Sequence, residues 1–295
     1  MARSLSRPEL RQLVDSLVLD CGNMASHSKA MLYCTALHYL DGKIPLDMTF
    51  EVDRWPDYTA VLWTQKDDEV SVLSFEKDCV NVSLYWTNED GLRQLLTLTS
   101  VDWTRPLLFM AIPLSGLSVL KEHLELQGVP CPPEEDIYLS DTVYYLHETC
   151  PSMDKVNGTD DKMTIAPLKP EHSQLVSRTW LHGNTPEAER HIHYQISTFP
   201  SACVYDQEGN PVSWILFNYY GSQGVGYTIP DHRGKGYFQL ASKYMINTCL
   251  QKGFVPFLFI EDYNEQSRAV HKKLGYSWVE AGRCAYIFLN RNKSS

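Results

Sequence analysis

One stretch of this chain constrains its fold more than any other. A short apolar pattern over residues 224–229 runs into Pro230-Asp231-His232-Arg233-Gly234-Lys235-Gly236-Tyr237, and a helical pattern then continues to Gln251. A strand that enters a helix through a glycine loop implies an α/β arrangement. Glycine lets the backbone approach a ligand closely and adopt left-handed dihedrals. The first N–H groups of the following helix lack helical acceptors and carry the positive end of its dipole. Together these features make a cradle for a diphosphate, to which Arg233 and Lys235 add charge. The loop is not a dinucleotide fingerprint, because Gln239 stands where a third glycine is required, and it lacks the spacing of a P-loop. The alternative reading is a loop that merely turns the chain.

The remaining pattern alternates helices and strands. Ser6 and Glu9 form a capping box ahead of Leu10, Leu13, Val14 and Leu17 at helical spacing. Residues 32–39 are rich in strand formers. Trp55-Pro56-Asp57-Tyr58 signals a turn before a strand at 59–63, and 81–86 alternates as another strand. Helices are expected over 90–98 and 114–126. A polar, turn-rich stretch at 151–162 reads as a linker between a domain at 1–150 and one at 163–295. In the second half, Thr185 and Pro186 start a helix, and 202–205 and 212–219 form a hairpin. An apolar run over 254–260 reads as a strand buried on both faces. Asn264 opens a helix that Gly275 ends, and a last strand is expected over 284–289.

Of the 295 residues, 43% are hydrophobic and 21% charged, the composition of a globular chain. A net charge of −10 argues against a nucleic-acid partner, and no apolar run is long enough for a membrane span. The eight cysteines show no metal spacing and read as buried small hydrophobes. His182, His191 and His193 have no carboxylate or thiol at ligand spacing, so no metal site is expected. Arg3, Arg7 and Arg11 with Ser4 and Ser6 suggest a mitochondrial presequence, against which Glu9 and Asp15 weigh; the cytoplasm is the alternative. A monomer is expected.

Arg233 and Gly236, followed by Asn264, Ala269, Leu274, Gly275 and Tyr276, resemble the two acyl-CoA motifs of the GNAT acyltransferase superfamily; Phe238 departs from the third slot of the first motif. Residues 53–58, Phe199-Pro200, 210–214 and 226–230 are similar to glycine N-acyltransferase-like proteins, and the likeness extends over nearly the whole chain. The resemblance implies an α/β (α+β) fold of two domains: a carboxy-terminal GNAT domain with a mixed, splayed sheet and a related amino-terminal domain. It implies acyl transfer from acyl-CoA, a co-substrate rather than a prosthetic group, to the amino group of glycine or a similar small amino acid.

On this reading Arg233, Gly234, Lys235, Gly236, Tyr237 and Phe238 hold the acyl-CoA diphosphate. Tyr227, Thr228 and Ile229 offer backbone to the pantetheine arm and the reacting oxygen, and Asn264 belongs to the second motif. The family's catalytic glutamate falls on Ser222, which cannot act as a base at its ordinary pKa. The candidates in its place are His232, an exposed loop histidine on the blander view, and Glu261 and Asp262, which otherwise cap the helix from Asn264. His271 takes the position of the superfamily's acid and could protonate the thiolate, or it faces solvent. Trp55, Trp180 and Trp214 read as core or domain-interface residues. Two other functions remain open: a catalytically weak acyl-CoA-binding or regulatory protein, and an acetyltransferase acting on a protein or polyamine.

Overall fold

The computed structural model describes residues 1–17, 26–66, 72–147, 149, 151 and 163–291, without the side chains of residues 135, 280 and 281. Cys21, Cys150 and all but the first residue of the expected linker lie outside this set. The described residues up to Asp141, joined by those from Glu280 on, form one compact unit, and Thr142–Val279 form another.

In the first unit the chain runs through β1 (Arg3–Ser4), α1 (Arg7–Ser16), α2 (His27–Leu40), β2 (Met48–Val52), β3 (Ala60–Gln65), β4 (Val80–Trp86), α3 (Glu89–Leu98), β5 (Leu107–Pro113) and α4 (Leu117–Leu126). The capping box forms: the Glu9 carboxylate accepts from the Ser6 N–H at 2.9 Å and from its hydroxyl at 2.7 Å. β1 to β4 pair antiparallel in chain order, and β4 pairs parallel with β5. Leu62, Val82, Leu92, Phe109 and Leu120 share one apolar core between the sheet and the helices. The strand formers at 32–39 lie inside α2, contrary to the reading of that stretch. Met31, Leu32, Cys34, Thr35 and His38 are all buried, and a half-buried line at Lys29, Tyr33, Leu37 and Leu40 remains, so the apolar residues form no clear amphipathic stripe.

The second unit contains β6 (Ile137–Tyr144) from Thr142 on, then β7 (Thr164–Ala166), α5 (Ser173–Thr179), α6 (Pro186–Thr198), β8 (Ser201–Tyr205), β9 (Pro211–Phe217), β10 (Gln223–Thr228), α7 (Tyr237–Gln251), β11 (Phe257–Glu261) and α8 (Glu265–Lys273). β12 (Ser277–Leu289) leads out of it and pairs antiparallel with β5. Strand order in this unit is β6-β11-β10-β9-β8-β7. β7 to β10 pair antiparallel, whereas β10 and β11 run parallel. Thr185 caps α6, accepting from the Ala188 N–H at 3.1 Å. Trp214 is fully buried, as a core tryptophan should be, with Ile192, Cys203 and Leu216 around it.

The thiols of Cys34, Cys79, Cys203, Cys249 and Cys284 are buried, but Cys131 is exposed, contrary to the uniform expectation. Burial pushes the thiols of Cys79, Cys203 and Cys249 up to about 12, which makes them poor nucleophiles. No helix among the described residues is long and apolar enough to cross a membrane.

Candidate functional site

The site begins with an interruption in β10. Val225 has a φ of +52°, a left-handed conformation that β-branched residues seldom adopt. The pairing with β9 shifts register between Gly224 and Tyr227, as in a β-bulge. β10 keeps a single residue pair with β11, Gln223 to Leu258. Beyond that pair the neighbouring edges part, and a cavity of about 700 Å³ lies there, a size suited to a small-molecule ligand. Ile215, Val225 and Leu258 give it apolar lining. A Cβ at Gly226 would sit 2.6 Å from Cε2 of Phe238, so a larger residue there must displace that ring.

The loop after β10 supplies the polar part of the wall. Gly234 and Gly236 have φ of +74° and +78°, which only glycine adopts without strain. They swing the backbone so that Gly236 precedes the 15-residue helix α7. The first turn of α7 has no acidic residue, and its leading N–H groups need acceptors from outside the helix. Arg233, Gly234, Gly236, Tyr237 and Phe238 line the cavity. Arg233 is held by a bond from its Nε to the Thr228 carbonyl at 3.1 Å, with its guanidinium 5.4 Å from the Tyr227 ring centroid. This end of the cavity is therefore built to receive an anion.

Two expected members of this end stand elsewhere. Lys235 is exposed, outside the lining, and its Nζ donates to the Asp231 carbonyl at 2.9 Å. Ile229 is also outside the lining; its N–H bonds to the Val212 carbonyl at 2.9 Å and its side chain packs with the Trp214 cluster. Tyr227 and Thr228 do line the cavity.

The opposite wall comes from β11 and α8. Asn264 caps α8, its Oδ1 accepting from the Ser267 N–H at 3.0 Å, and it also lines the cavity. Glu261, half-buried at the end of β11, is the carboxylate of the lining. Asp262 is exposed, pairs with Arg268 at 3.4 Å and lies outside the lining. His232 is half-buried in the lining, and its Nδ1 has no hydrogen-bond partner among the described residues.

His271 is the sharpest departure from expectation. It is buried rather than solvent-facing, at 3% exposure, and it lines the cavity. The Phe238 and Tyr276 rings stand edge-on to it at 5.7 and 5.2 Å. Its Nδ1 lies 2.8 Å from the Ser267 carbonyl oxygen. A carbonyl only accepts, so Nδ1 carries the proton. Burial pushes the imidazole down to about 4, against the opposing pull of that carbonyl. The resting side chain is thus neutral, with a bare Nε2 that has no partner among the described residues. In this form Nε2 carries no proton.

Ser222 does not reach the cavity. It is buried, its hydroxyl accepts from the Asn218 side-chain amide at 2.9 Å, and its carbonyl accepts from the Asn218 N–H. The residue after it does reach the cavity. Gln223 lines the wall and accepts from the Tyr276 hydroxyl at 2.7 Å. The last residue of α5, Thr179, and the connection to α6, absent from the residues proposed on sequence, also contribute, the connection with Trp180, Leu181 and His182. Trp180 is therefore a cavity wall as well as a packing residue, stacked on His191 at 6.1 Å. Leu181 and Tyr263 are 73% and 67% exposed and stand in the same lining. A tryptophan-leucine-histidine run in a short helix connection was the one available signal.

The chain is 24% identical over 258 residues to the glycine N-acyltransferase of Rattus norvegicus, covering 83% of this chain and 85% of the relative. It is 23% identical over 248 residues to a glycine N-phenylacetyltransferase of Bos taurus, covering 79% and 80%. Among solved structures, a Drosophila protein superposes with a TM-score of 0.74 at 17% identity, covering 98% of both chains. A tandem GNAT protein from the clavulanic acid biosynthesis pathway gives 0.56 at 12% identity, covering 98% and 97%. These likenesses show a GNAT-type fold. Residues 31–200 match the family described as aralkyl acyl-CoA:amino acid N-acyltransferase, residues 202–284 match its C-terminal region, and the chain belongs to this family.

Proposed function

We propose that this protein transfers an acyl group from acyl-CoA to the amino group of glycine or a similar small amino acid. The observation that carries the proposal is that the free amides at the start of α7 and the parted edges of β10 and β11 open into one cavity. A ligand with a diphosphate, an extended amide arm and an apolar acyl end matches those features in order.

On this reading the diphosphate takes the N–H groups around Gly234, Gly236 and Tyr237, with Arg233 beside them. The pantetheine arm pairs with the edge of β10 that β11 leaves free, as an added strand. A backbone N–H of β10 near the bulge meets the thioester oxygen as it gains charge; such a donor is typically worth ~3 kcal/mol. The incoming ammonium loses its first proton to Glu261 through water, because the Ser222 hydroxyl is engaged with Asn218 outside the cavity lining. Attack of the amine on the thioester carbon then gives the amide and CoA.

Thiol release tests the proposal. Acetyl-, benzoyl- and long-chain acyl-CoA are incubated with the protein and a panel of amino acids, a polyamine and a lysine peptide. Thiol release that depends on glycine or a small amino acid supports it. Release that depends on the polyamine or peptide instead points to the acetyltransferase reading. Tight acyl-CoA binding without any release points to a binding protein, the reading that the position of Ser222 favours.

A further inference from the structure

Acyl-CoA carries two separate anionic groups, the diphosphate and the 3′-phosphate on its ribose. The start of α7 and Arg233 account for the first. Among the described residues the cavity lining holds one further lysine or arginine, Lys273, and one carboxylate, Glu261. Lys273 is the last residue of α8. Gln266, Val270 and Lys273 follow one another at i, i+4 and i+7 spacing, so they share one face of the helix, and all three line the cavity. Gln266 and Lys273 are exposed, whereas His271 beside them is buried. The apolar lining lies deeper, with Ile215 and Leu258 only 2% and 4% exposed. Lys273 therefore stands at the solvent rim, away from the β10 bulge where the thioester is placed.

The rim at Lys273 adjoins the diphosphate end. Phe238 in the first turn of α7 and His271, two residues before Lys273, have ring centroids 5.7 Å apart. This contact brings the last turn of α8 beside the helix start that takes the diphosphate. In CoA the diphosphate and the 3′-phosphate hang from the same ribose, so a cation beside the first reaches the second. The Lys273 ammonium has no hydrogen-bond or ion-pair partner among the described residues. A compact charge on a flexible stem suits a phosphate that stays partly in water.

We infer that Lys273 holds the 3′-phosphate of acyl-CoA and makes the site prefer CoA thioesters over those that lack this phosphate. The inference rests on the acyl-CoA reading above. It assigns the two cations of the lining to the two anionic groups of one ligand. Arg233 serves every ligand with a diphosphate, whereas Lys273 serves the 3′-phosphate alone.

The test measures, by calorimetry, the affinities of CoA and 3′-dephospho-CoA for the wild type, Lys273→Gln, Lys273→Arg and Lys272→Gln. Lys272 is a control outside the lining, and both lysines are exposed, so these changes leave the core untouched. The wild type should bind CoA about fivefold more tightly than the dephospho form, the scale of a partly exposed charge-assisted bond. Lys273→Gln should lower CoA to the dephospho value and leave dephospho-CoA unchanged. Lys273→Arg and Lys272→Gln should keep the preference. Equal wild-type affinities, a preference that survives Lys273→Gln, or an equal loss for both ligands would overturn the inference and leave acyl-CoA binding standing. So would a raised KM for glycine with CoA affinity unchanged, which would put the acceptor's carboxylate at Lys273. A wild type that binds neither ligand would overturn both.

Discussion

Tyr276 donates its hydroxyl proton to the side-chain oxygen of Gln223 at 2.7 Å, and both side chains are buried. Gln223 is the residue at which β10 still pairs with β11. The bond therefore fixes the point from which the two strands diverge. Tyr276→Phe would leave the Gln223 oxygen unpaired in the interior, at a cost of about 1–3 kcal/mol. The denaturant midpoint should fall accordingly, measured against a Tyr→Phe change at exposed Tyr138, which should leave it in place.

Gly226 and Phe238 press on each other across the cavity wall. Gly226→Ala puts a methyl 2.6 Å from the Phe238 ring, and overpacking of this kind costs about 1–3 kcal/mol. The ring must shift to make room, and because Phe238 lines the cavity, acyl-CoA affinity should drop along with thermal stability. Gly226→Ala with Phe238→Leu should recover both in part. An additive double mutant would contradict this account of the pair.

Much of this site is legible in the sequence, because it depends on local chemistry. The strand, glycine loop and helix are readable from residue types alone, as is the Asn264 cap. The bulge is not: Val225 adopts a conformation that its own side chain disfavours, and only the surrounding sheet imposes it. The burial of His271 is equally hidden, since Phe238 comes from a distant part of the sequence to close over it beside the nearby Tyr276. Trp180 looks like a core residue because nothing local says which face of it stays open. The family resemblance assigns the glutamate position to Ser222, and residue types alone do not reveal that its hydroxyl turns to Asn218.

Acid should weaken the fold through its buried histidines. His27, whose Nε2 lies 2.7 Å from the Ala111 carbonyl, and His271 are both pushed by burial from the usual 6.5 to about 4. Between those values the unfolded chain binds more protons than the folded one, so stability is lost as pH falls from 6.5 towards 4. By pH 5 the loss is about 2 kcal/mol per histidine. His123 and His172 are shifted the same way by burial. Urea midpoints at pH 7.5 and pH 5 should differ, and His27→Gln should narrow the difference. Equal midpoints would refute the assignment of buried neutral rings.

The start of α7 is where the whole functional reading is anchored, and amide resonances observe it directly. In ¹⁵N-labelled protein titrated with CoA, and separately with inorganic pyrophosphate, the N–H signals of Gly234, Gly236, Tyr237 and Phe238 should move with both ligands and at matching saturation. Arg233→Ala should weaken both titrations. Signals that stay in place while CoA binds elsewhere, or that respond to neither ligand, would contradict a diphosphate held at this helix.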